Sequence, residues 1–217
     1  MSPILVREYR RAERFADNVI HVVGIASGVI ACVALAILAL PSAGLRMIVS
    51  VSLYASGLMA MLWCSALYNM MRDGAWKHIL RRLDHAAIFV MIAGTYTPFV
   101  LVRMGGAWGF GIASVVWLGA ITGIALKLLY PSRLEGISTG LYLALGWVII
   151  VAPGQLLAAL SPPAVIMLAL GGLLYCLGII FHLWRQLPYH NAIWHGFVLS
   201  AAGCHWVAIF NGVVLAA

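Results

Sequence analysis

Charged side chains are scarce in this chain: aspartate, glutamate, lysine and arginine together make up only 9% of its 217 residues. A soluble domain of this size carries about 25% charged residues. Hydrophobic residues account for 64% of the sequence, and its mean hydropathy is +1.04. This composition excludes an ordinary soluble domain and indicates an integral membrane protein, because lipid is the solvent that such a surface requires.

Two sequence features are also missing, a Cys-x-x-Cys pair and a lysine in the last apolar stretch, and each absence excludes a kind of site. The cysteines Cys32, Cys64, Cys176 and Cys204 all fall in apolar stretches, and none forms a Cys-x-x-Cys pair. They are therefore interpreted as small buried hydrophobes rather than as a disulfide framework or a zinc ribbon. No lysine occurs in the last apolar stretch, residues 191–216, which excludes a retinal Schiff base there.

Apolar stretches of membrane-spanning length recur along the chain, and about 20 apolar residues suffice to cross a bilayer as a helix. Turn-forming residues separate them, including Pro41, Asp73-Gly74, Gly105-Gly106 and Pro131. The sequence predicts an all-α membrane protein, a seven-transmembrane helix bundle that forms a single domain over residues 1–217. The predicted spans are about 17–40, 46–70, 84–103, 107–129, 138–160, 163–184 and 191–216.

The distribution of lysine and arginine predicts the orientation of the bundle. With the N-terminus in the cytoplasm, the outer side holds only Arg46 and Arg103. The inner side then holds Arg7, Arg10, Arg11, Arg14, Arg72, Lys77, Arg81, Arg82, Lys127, Arg133 and Arg185. By the positive-inside rule the N-terminus is cytoplasmic and the C-terminus periplasmic. The net charge of +7 is thus a topology signal and does not indicate a nucleic-acid partner.

Polar residues gather in the predicted cytoplasmic half of the spans. They comprise Asp17 and His21 in the first span, Ser65 and Asn69 in the second, Asp84 in the third, and Asn191 and His195 in the last. The pairs within the second and last spans are four residues apart and so share a helix face. Ionisable groups in a membrane are rare and face the bundle interior, which predicts one shared pocket that opens toward the cytoplasm.

Simpler explanations exist for some of these residues. An acidic residue in the first turn of a helix stabilises it by about 0.3–1 kcal/mol through the helix dipole, which would account for Asp17 and Asp84 without any site. His205 lies roughly 15 Å deeper than His195, at 1.5 Å per residue, and is assigned to the core between helices. The common depth of the other polar residues favours the shared pocket.

Several stretches resemble the hemolysin III family. They are Ser65-Ala-Leu-Tyr68, Leu83-Asp-His-Ala-Ala-Ile88, Ala93-Gly-Thr-Tyr-Thr-Pro-Phe99, and Ala192-Ile-Trp-His-Gly-Phe-Val198 with His205. These bacterial relatives of the progestin and adiponectin receptors are also called TrhA-type membrane homeostasis proteins. The resemblance covers nearly the whole chain. It implies a seven-helix bundle in the bacterial inner membrane, with zinc near the cytoplasmic face.

The resemblance also implies a set of zinc ligands, which this chain matches only in part. The family has a Ser-x-x-x-His pattern in the second span, His-x-x-x-His at the start of the last, and an aspartate that supports a bound water. Ser65, Asp84 and His195 match, whereas Asn69 and Asn191 stand at two of the three histidine positions. An amide oxygen suits harder cations than zinc. We therefore expect a degenerate metal site with weak or absent zinc.

The interpretation favoured by these substitutions is a metal-free hydrogen-bonded network of Ser65, Asn69, Asp84, Asn191 and His195. His195 is the one family ligand position that keeps its histidine and so is the candidate metal ligand, and Asp84 with Ser65 forms the candidate catalytic pair. The residues placed around the pocket are Asp17, His21 and His205. If zinc is bound tightly after all, the histidines to consider as substitute ligands are His190, His21 and His182.

Three functions are consistent with the resemblance, with membrane lipids as partners in each. The first is membrane homeostasis, in which the protein senses or adjusts the state of the bilayer. The second is hydrolysis of a lipid amide, as in the ceramidases of the wider superfamily, with a metal that activates water, Asp84 as base and Ser65 as a polar partner. The third is cytolysis, the source of the family's name. It is disfavoured, because no segment looks able to convert from a soluble to a membrane-inserted form.

Overall fold

The computed structural model describes residues 10–42, 44–72, 74–130 and 135–216, and these residues form helices joined by short turns. The α-helices are α1 (Arg11–Ala39), α2 (Leu45–Met70), α3 (Lys77–Pro98), α4 (Gly106–Leu129), α5 (Glu135–Gly146), α6 (Pro153–Ala159), α7 (Pro162–Leu183) and α8 (His190–Ile209). Short 3₁₀ helices occupy Leu40–Ser42 and Val148–Val151, and π-helical turns extend α3 to Met104 and α8 to Val214. Of the features used above, Arg7, Asp73, Pro131, Arg133 and the last residue lie outside the described ranges.

The helical, membrane-spanning character that the sequence predicts is confirmed. Within the described ranges, six helices are long and apolar enough to cross a membrane: α1, α2, α3 with its extension, α4, α7, and α8 with its extension. The predicted fifth span, residues 138–160, differs from expectation because it is divided into α5, a 3₁₀ turn and α6. The count of seven spans and the orientation of the termini therefore stay predictions.

A side chain from α3 stabilises the division of that segment. The hydroxyl of Tyr96 donates a hydrogen bond to the carbonyl of Gly146 at 2.8 Å and accepts one from the backbone N–H of Ile149 at 3.2 Å. Beyond the 3₁₀ turn, Pro153 opens α6 and has no N–H to continue a helical ladder. Backbone groups in a bilayer must be satisfied within the protein, so Tyr96 supplies what the break would otherwise leave unpaired.

Two glycines fix how α2 and α3 pack. A β-carbon added at Gly57 would lie 2.9 Å from a backbone oxygen of α3, and one added at Gly94 would lie 2.8 Å from a backbone oxygen of α2. Only glycine permits such an approach of two antiparallel backbones. The same register, followed two turns toward the end of α2, brings Ser65 opposite Asp84.

Basic side chains cap helices at the end of the bundle where α1, α3 and α8 begin, which we name the basic end. The Lys77 ammonium group donates to the carbonyls of Tyr68 at 2.6 Å and Met71 at 2.8 Å, where α2 ends. Arg82 donates to the carbonyl of Leu128 at 3.3 Å, near the end of α4. These bonds satisfy final carbonyls that have no partner within their own helix.

Candidate functional site

A cavity of about 440 Å³ lies between the helices and takes wall residues from α1, α2, α3, α4, α5, α7 and α8. Its volume is in the range of small-ligand pockets, roughly 300–1,000 Å³. Arg81 and Lys127 line it near the basic end, and Thr95 and His205 line it deeper in the bundle. Most of its wall is apolar, so the polar residues gathered near the basic end stand out as a candidate site.

A carboxylate and two imidazoles meet at this end of the cavity, and we name them the Asp-His-His trio (Asp17, His21 and His195). The distance from Asp17 Oδ1 to His195 Nδ1 is 2.6 Å, and that from Asp17 Oδ2 to His21 Nε2 is 3.8 Å. The two imidazole rings are 4.4 Å apart between centroids. One candidate ligand atom from each residue lies within 4.8 Å of the others. Their side chains are only 4%, 5% and 11% exposed, respectively.

The trio depends on a buried face that runs along α1. The residues on this face recur every three or four positions: Glu13, Asp17, His21, Gly24 and Gly28. A β-carbon on Gly28 would collide with the Leu62 side chain, and one on Gly24 would lie 3.3 Å from it, so the glycines let α2 come close. Farther along α1, toward its C-terminal end, the Trp206 indole donates to the carbonyl of Ala31 at 2.9 Å. These contacts hold α1 against α2 and α8.

One atom of the trio lacks the partner that a buried polar group needs. His21 Nε2 is buried and makes no hydrogen bond with the described residues. Leaving such a group unsatisfied costs about 1–3 kcal/mol. A tetrahedral zinc site has bonds of about 2.0–2.1 Å and so separates its ligand atoms by about 3.3 Å. The contacts of 2.6 and 3.8 Å, which involve the two oxygens of Asp17, lie on either side of that separation. Because the three candidate ligand atoms lie within 4.8 Å of one another, the trio fits a metal ion once its side chains draw together.

The predicted catalytic pair also lines the cavity. Asp84 faces the Ser65 side chain, as the register of α2 and α3 requires, and lies close enough to all three members of the trio to interact with them electrostatically. Because Asp84 lines the cavity, its carboxylate is available to a molecule bound there.

The residues at the family's remaining ligand positions form a second group, the amide cluster (Ser65, Asn69 and Asn191). The Asn69 amide nitrogen donates to the Ser65 carbonyl at 2.9 Å and lies 3.4 Å from the Ser65 hydroxyl oxygen. Asn69 is thus bonded within its own helix. Asn191 lies in the first turn of α8 and lines the cavity. With two amides in place of two imidazoles, these positions do not fit the zinc that the family resemblance implies.

The other histidines lie apart from the trio. His205 approaches the carbonyl of Leu168 with Nε2 at 3.3 Å and packs against the Tyr175 ring, with 5.6 Å between centroids. It is a histidine of the core between α7 and α8. His182 is exposed and packs against Trp194. Among the described residues the group able to hold a metal includes His21, and neither His182 nor His190 belongs to it.

Sequence reasoning placed Asp17 and His21 around the pocket and named His21 as a substitute ligand, but it did not single out Asp17, His21 and His195 as one ligand set. A signal was present, because Asp17 and His21 are four residues apart and share one face of α1. The same spacing directed attention to the pairs in α2 and α8. What the spacing cannot give is the contact between α1 and α8, which involves residues at opposite ends of the chain.

The fold and the site define a class: a multi-pass helical membrane protein with an ionisable site buried at one end of its bundle. The family described as Haemolysin-III related matches residues 11–206, and the chain belongs to that family. It is 36% identical to the hemolysin-3 homolog of Bacillus subtilis (strain 168) over 91% of this chain and 92% of the relative. It is 34% identical to hemolysin-3 of Bacillus cereus over 88% and 87% of the two chains.

A more distant similarity reaches animal proteins. The chain is 28% identical to the human monocyte to macrophage differentiation factor over 169 residues, which are 73% of this chain and 68% of that protein. No solved structure matches this chain significantly. The family resemblance that the motifs predicted is therefore confirmed by sequence comparison.

Proposed function

We propose that this protein serves membrane lipid homeostasis by holding a membrane lipid in the cavity between its helices. The observation that supports this is the division of the cavity wall. Met61, Ile88 and Leu199 belong to its large apolar part, whereas Asp84, His21 and His195 line it near the basic end. An amphiphile matches this division, because its acyl chain gains from leaving water and its head group can meet hydrogen-bonding partners.

Filling the cavity tests this proposal. Ile88→Trp adds bulk to the wall, and we expect the purified protein to carry less co-purifying lipid by mass spectrometry. The matched control is Leu118→Trp on α4, whose side chain is 65% exposed on the outside of the bundle. In cells, only Ile88→Trp should fail to restore membrane order, measured by probe anisotropy, in a strain lacking the gene. Equal lipid content in both variants would contradict the proposal.

A second candidate function is hydrolysis of a lipid amide, and the position of Asp84 favours it. Asp84 lies beside Ser65 and near the trio, where its carboxylate can take a proton from water as the oxygen attacks an amide carbonyl. The proton then passes to the nitrogen as the carbon–nitrogen bond breaks. A metal held nearby would supply polarisation of the carbonyl or activation of water. Release of free fatty acid from a ceramide in detergent micelles tests this function.

We also propose that the protein resides in the plasma membrane of a bacterial cell with its N-terminus in the cytoplasm. The excess of basic residues on one side of the spans supports this orientation. A phosphatase fused after residue 217 should be active outside the cytoplasm. If the phosphatase is inactive at this position and a cytoplasmic reporter fused there is active, the number of crossings is even.

A further inference from the structure

We propose that Asp17, His21 and His195 together bind one first-row divalent cation, so that the metal site of this protein lies between α1 and α8. The amide cluster at the family's positions would then hold no metal. This proposal does not depend on whether lipid enters the cavity.

The ligand set matches known metal chemistry. Two imidazoles and one carboxylate bind catalytic zinc, and the same set with open positions binds non-haem iron(II). Here Asp17 and His21 come from adjacent turns of one helix, and His195 comes from another. Candidate ligand atoms of all three are already within 4.8 Å of each other. The helices therefore preorganise the site before any ion arrives.

The hydrogen bonding of the trio favours a bound cation over a metal-free network of the three side chains. An ionised carboxylate only accepts hydrogen bonds, so the 2.6 Å contact has His195 Nδ1–H donating to Asp17. This pairing leaves His21 Nε2 buried without a hydrogen bond. A cation between the three residues would use the lone pair of that nitrogen and the negative charge of Asp17 together. The buried His21 Nε2, which is an unsatisfied polar atom without metal, would become a ligand when the metal is bound.

The trio also has an open side. His21 and His195 line the cavity, while Asp17 is not part of its wall. The carboxylate therefore lies behind the two imidazoles as seen from the cavity. A cation held by the three residues would keep its fourth position toward the cavity, which is the arrangement of a catalytic rather than a closed structural site.

Metal analysis of the full-length protein tests the proposal. Protein purified in detergent from zinc-supplemented cells should contain about one zinc per chain by elemental analysis. Asp17→Asn and His21→Gln should each lower that content at least tenfold. His205→Gln, which changes a partly buried histidine between α7 and α8, is the matched control and should keep the metal. Equal zinc in all variants, or none in the unaltered protein, would overturn the proposal.

A second variant distinguishes the loss of a ligand from the loss of metal through misfolding. His21→Cys keeps a metal-binding atom at this position, so its cobalt(II)-loaded form should gain a thiolate-to-metal charge-transfer band in the near ultraviolet. Cobalt(II) bound to the unaltered protein should show visible absorption typical of four-coordinate geometry, without that band. A folded His21→Cys protein that binds cobalt(II) but lacks the band would show that residue 21 is not a ligand and would overturn the assignment.

Discussion

Two polar groups lie near the basic end of the cavity, and they differ in the ligands that they could hold. The Asp-His-His trio has one carboxylate and two imidazoles with candidate ligand atoms within 4.8 Å of one another. The amide cluster has one hydroxyl and two amides, and Asn69 is bonded within its own helix. Both groups contain or adjoin His195 on α8. On the assignment proposed above, the ligand site uses α1 in place of α2, while His195 is common to it and to the family's set.

The difference is one of charge as well as geometry. A buried carboxylate is unfavourable unless it is paired, and Asp17 has His195 at 2.6 Å and His21 at 3.8 Å. The amides are neutral and are stable with ordinary hydrogen bonds. A divalent cation therefore gains more between α1 and α8 than beside α2.

Exchanging the two groups should move the metal. Asp17→Asn with His21→Gln should abolish zinc binding. Adding Asn69→His and Asn191→His to that pair of changes should restore about one zinc per chain, because three imidazoles then meet at the family's positions. Elemental analysis of the double and quadruple variants measures this. A quadruple variant that is folded but still lacks zinc would show that the amide cluster is not a latent metal position.

Removing the candidate base should separate metal binding from chemistry. Asp84→Asn should retain the metal content of the unaltered protein and lower any lipid amide hydrolysis at least about 100-fold, as expected for loss of a general base. Fatty acid release and zinc content are measured on the same preparation. If hydrolysis persists at the original rate while zinc is unchanged, Asp84 is not the base.

Disturbing the register of α2 and α3 should cost stability. Gly57→Val places a side chain 2.9 Å from a backbone oxygen of Val90, and overpacking of this kind costs about 1–3 kcal/mol. Gly203→Ala is the control, because a β-carbon there meets nothing within 4 Å. Thermal unfolding in detergent, followed by circular dichroism, should show a lower Tm for Gly57→Val alone. Equal Tm values would mean that the close approach of the two helices is not needed.

The smallest effect is expected far from both polar groups. Tyr96→Phe removes the hydroxyl that bonds Gly146 and Ile149 at the division of the fifth segment. A net loss of about 1 kcal/mol per hydrogen bond is typical. The same measurement of Tm should show a modest decrease, and Tyr130→Phe, which changes a 56% exposed tyrosine, should show none. A decrease of similar size in both variants would contradict the role given to Tyr96.

The sequence predicted the helical membrane fold and the family because both depend on local information. Apolar runs set the helices, and short motifs around Ser65, Asp84 and His195 identify the family. The division of residues 138–160 was missed because the segment is largely apolar, and the bonds that stabilise its break come from Tyr96 on another helix. The Pro153-Gly154 dipeptide was a local sign of that break.

The Asp-His-His trio was missed for a similar reason, because it depends on a contact between distant parts of the chain. The spacing of Asp17 and His21 was visible, and so was the loss of histidine at positions 69 and 191. No sequence pattern relates residue 17 to residue 195, whose side chains meet because α1 packs beside α8. The motifs directed attention to the family's ligand positions, whereas long-range packing gathers a different set of ligand atoms nearby.

The most direct test of the account is the position of the metal itself. Anomalous scattering at the zinc absorption edge, from crystals of the full-length protein grown with zinc, locates the ion without assumptions about ligands. We predict one peak between α1 and α8, about 2.0–2.2 Å from ligand atoms of Asp17, His21 and His195. A peak beside Asn69 and Asn191 instead, or no peak in the bundle, would contradict the account.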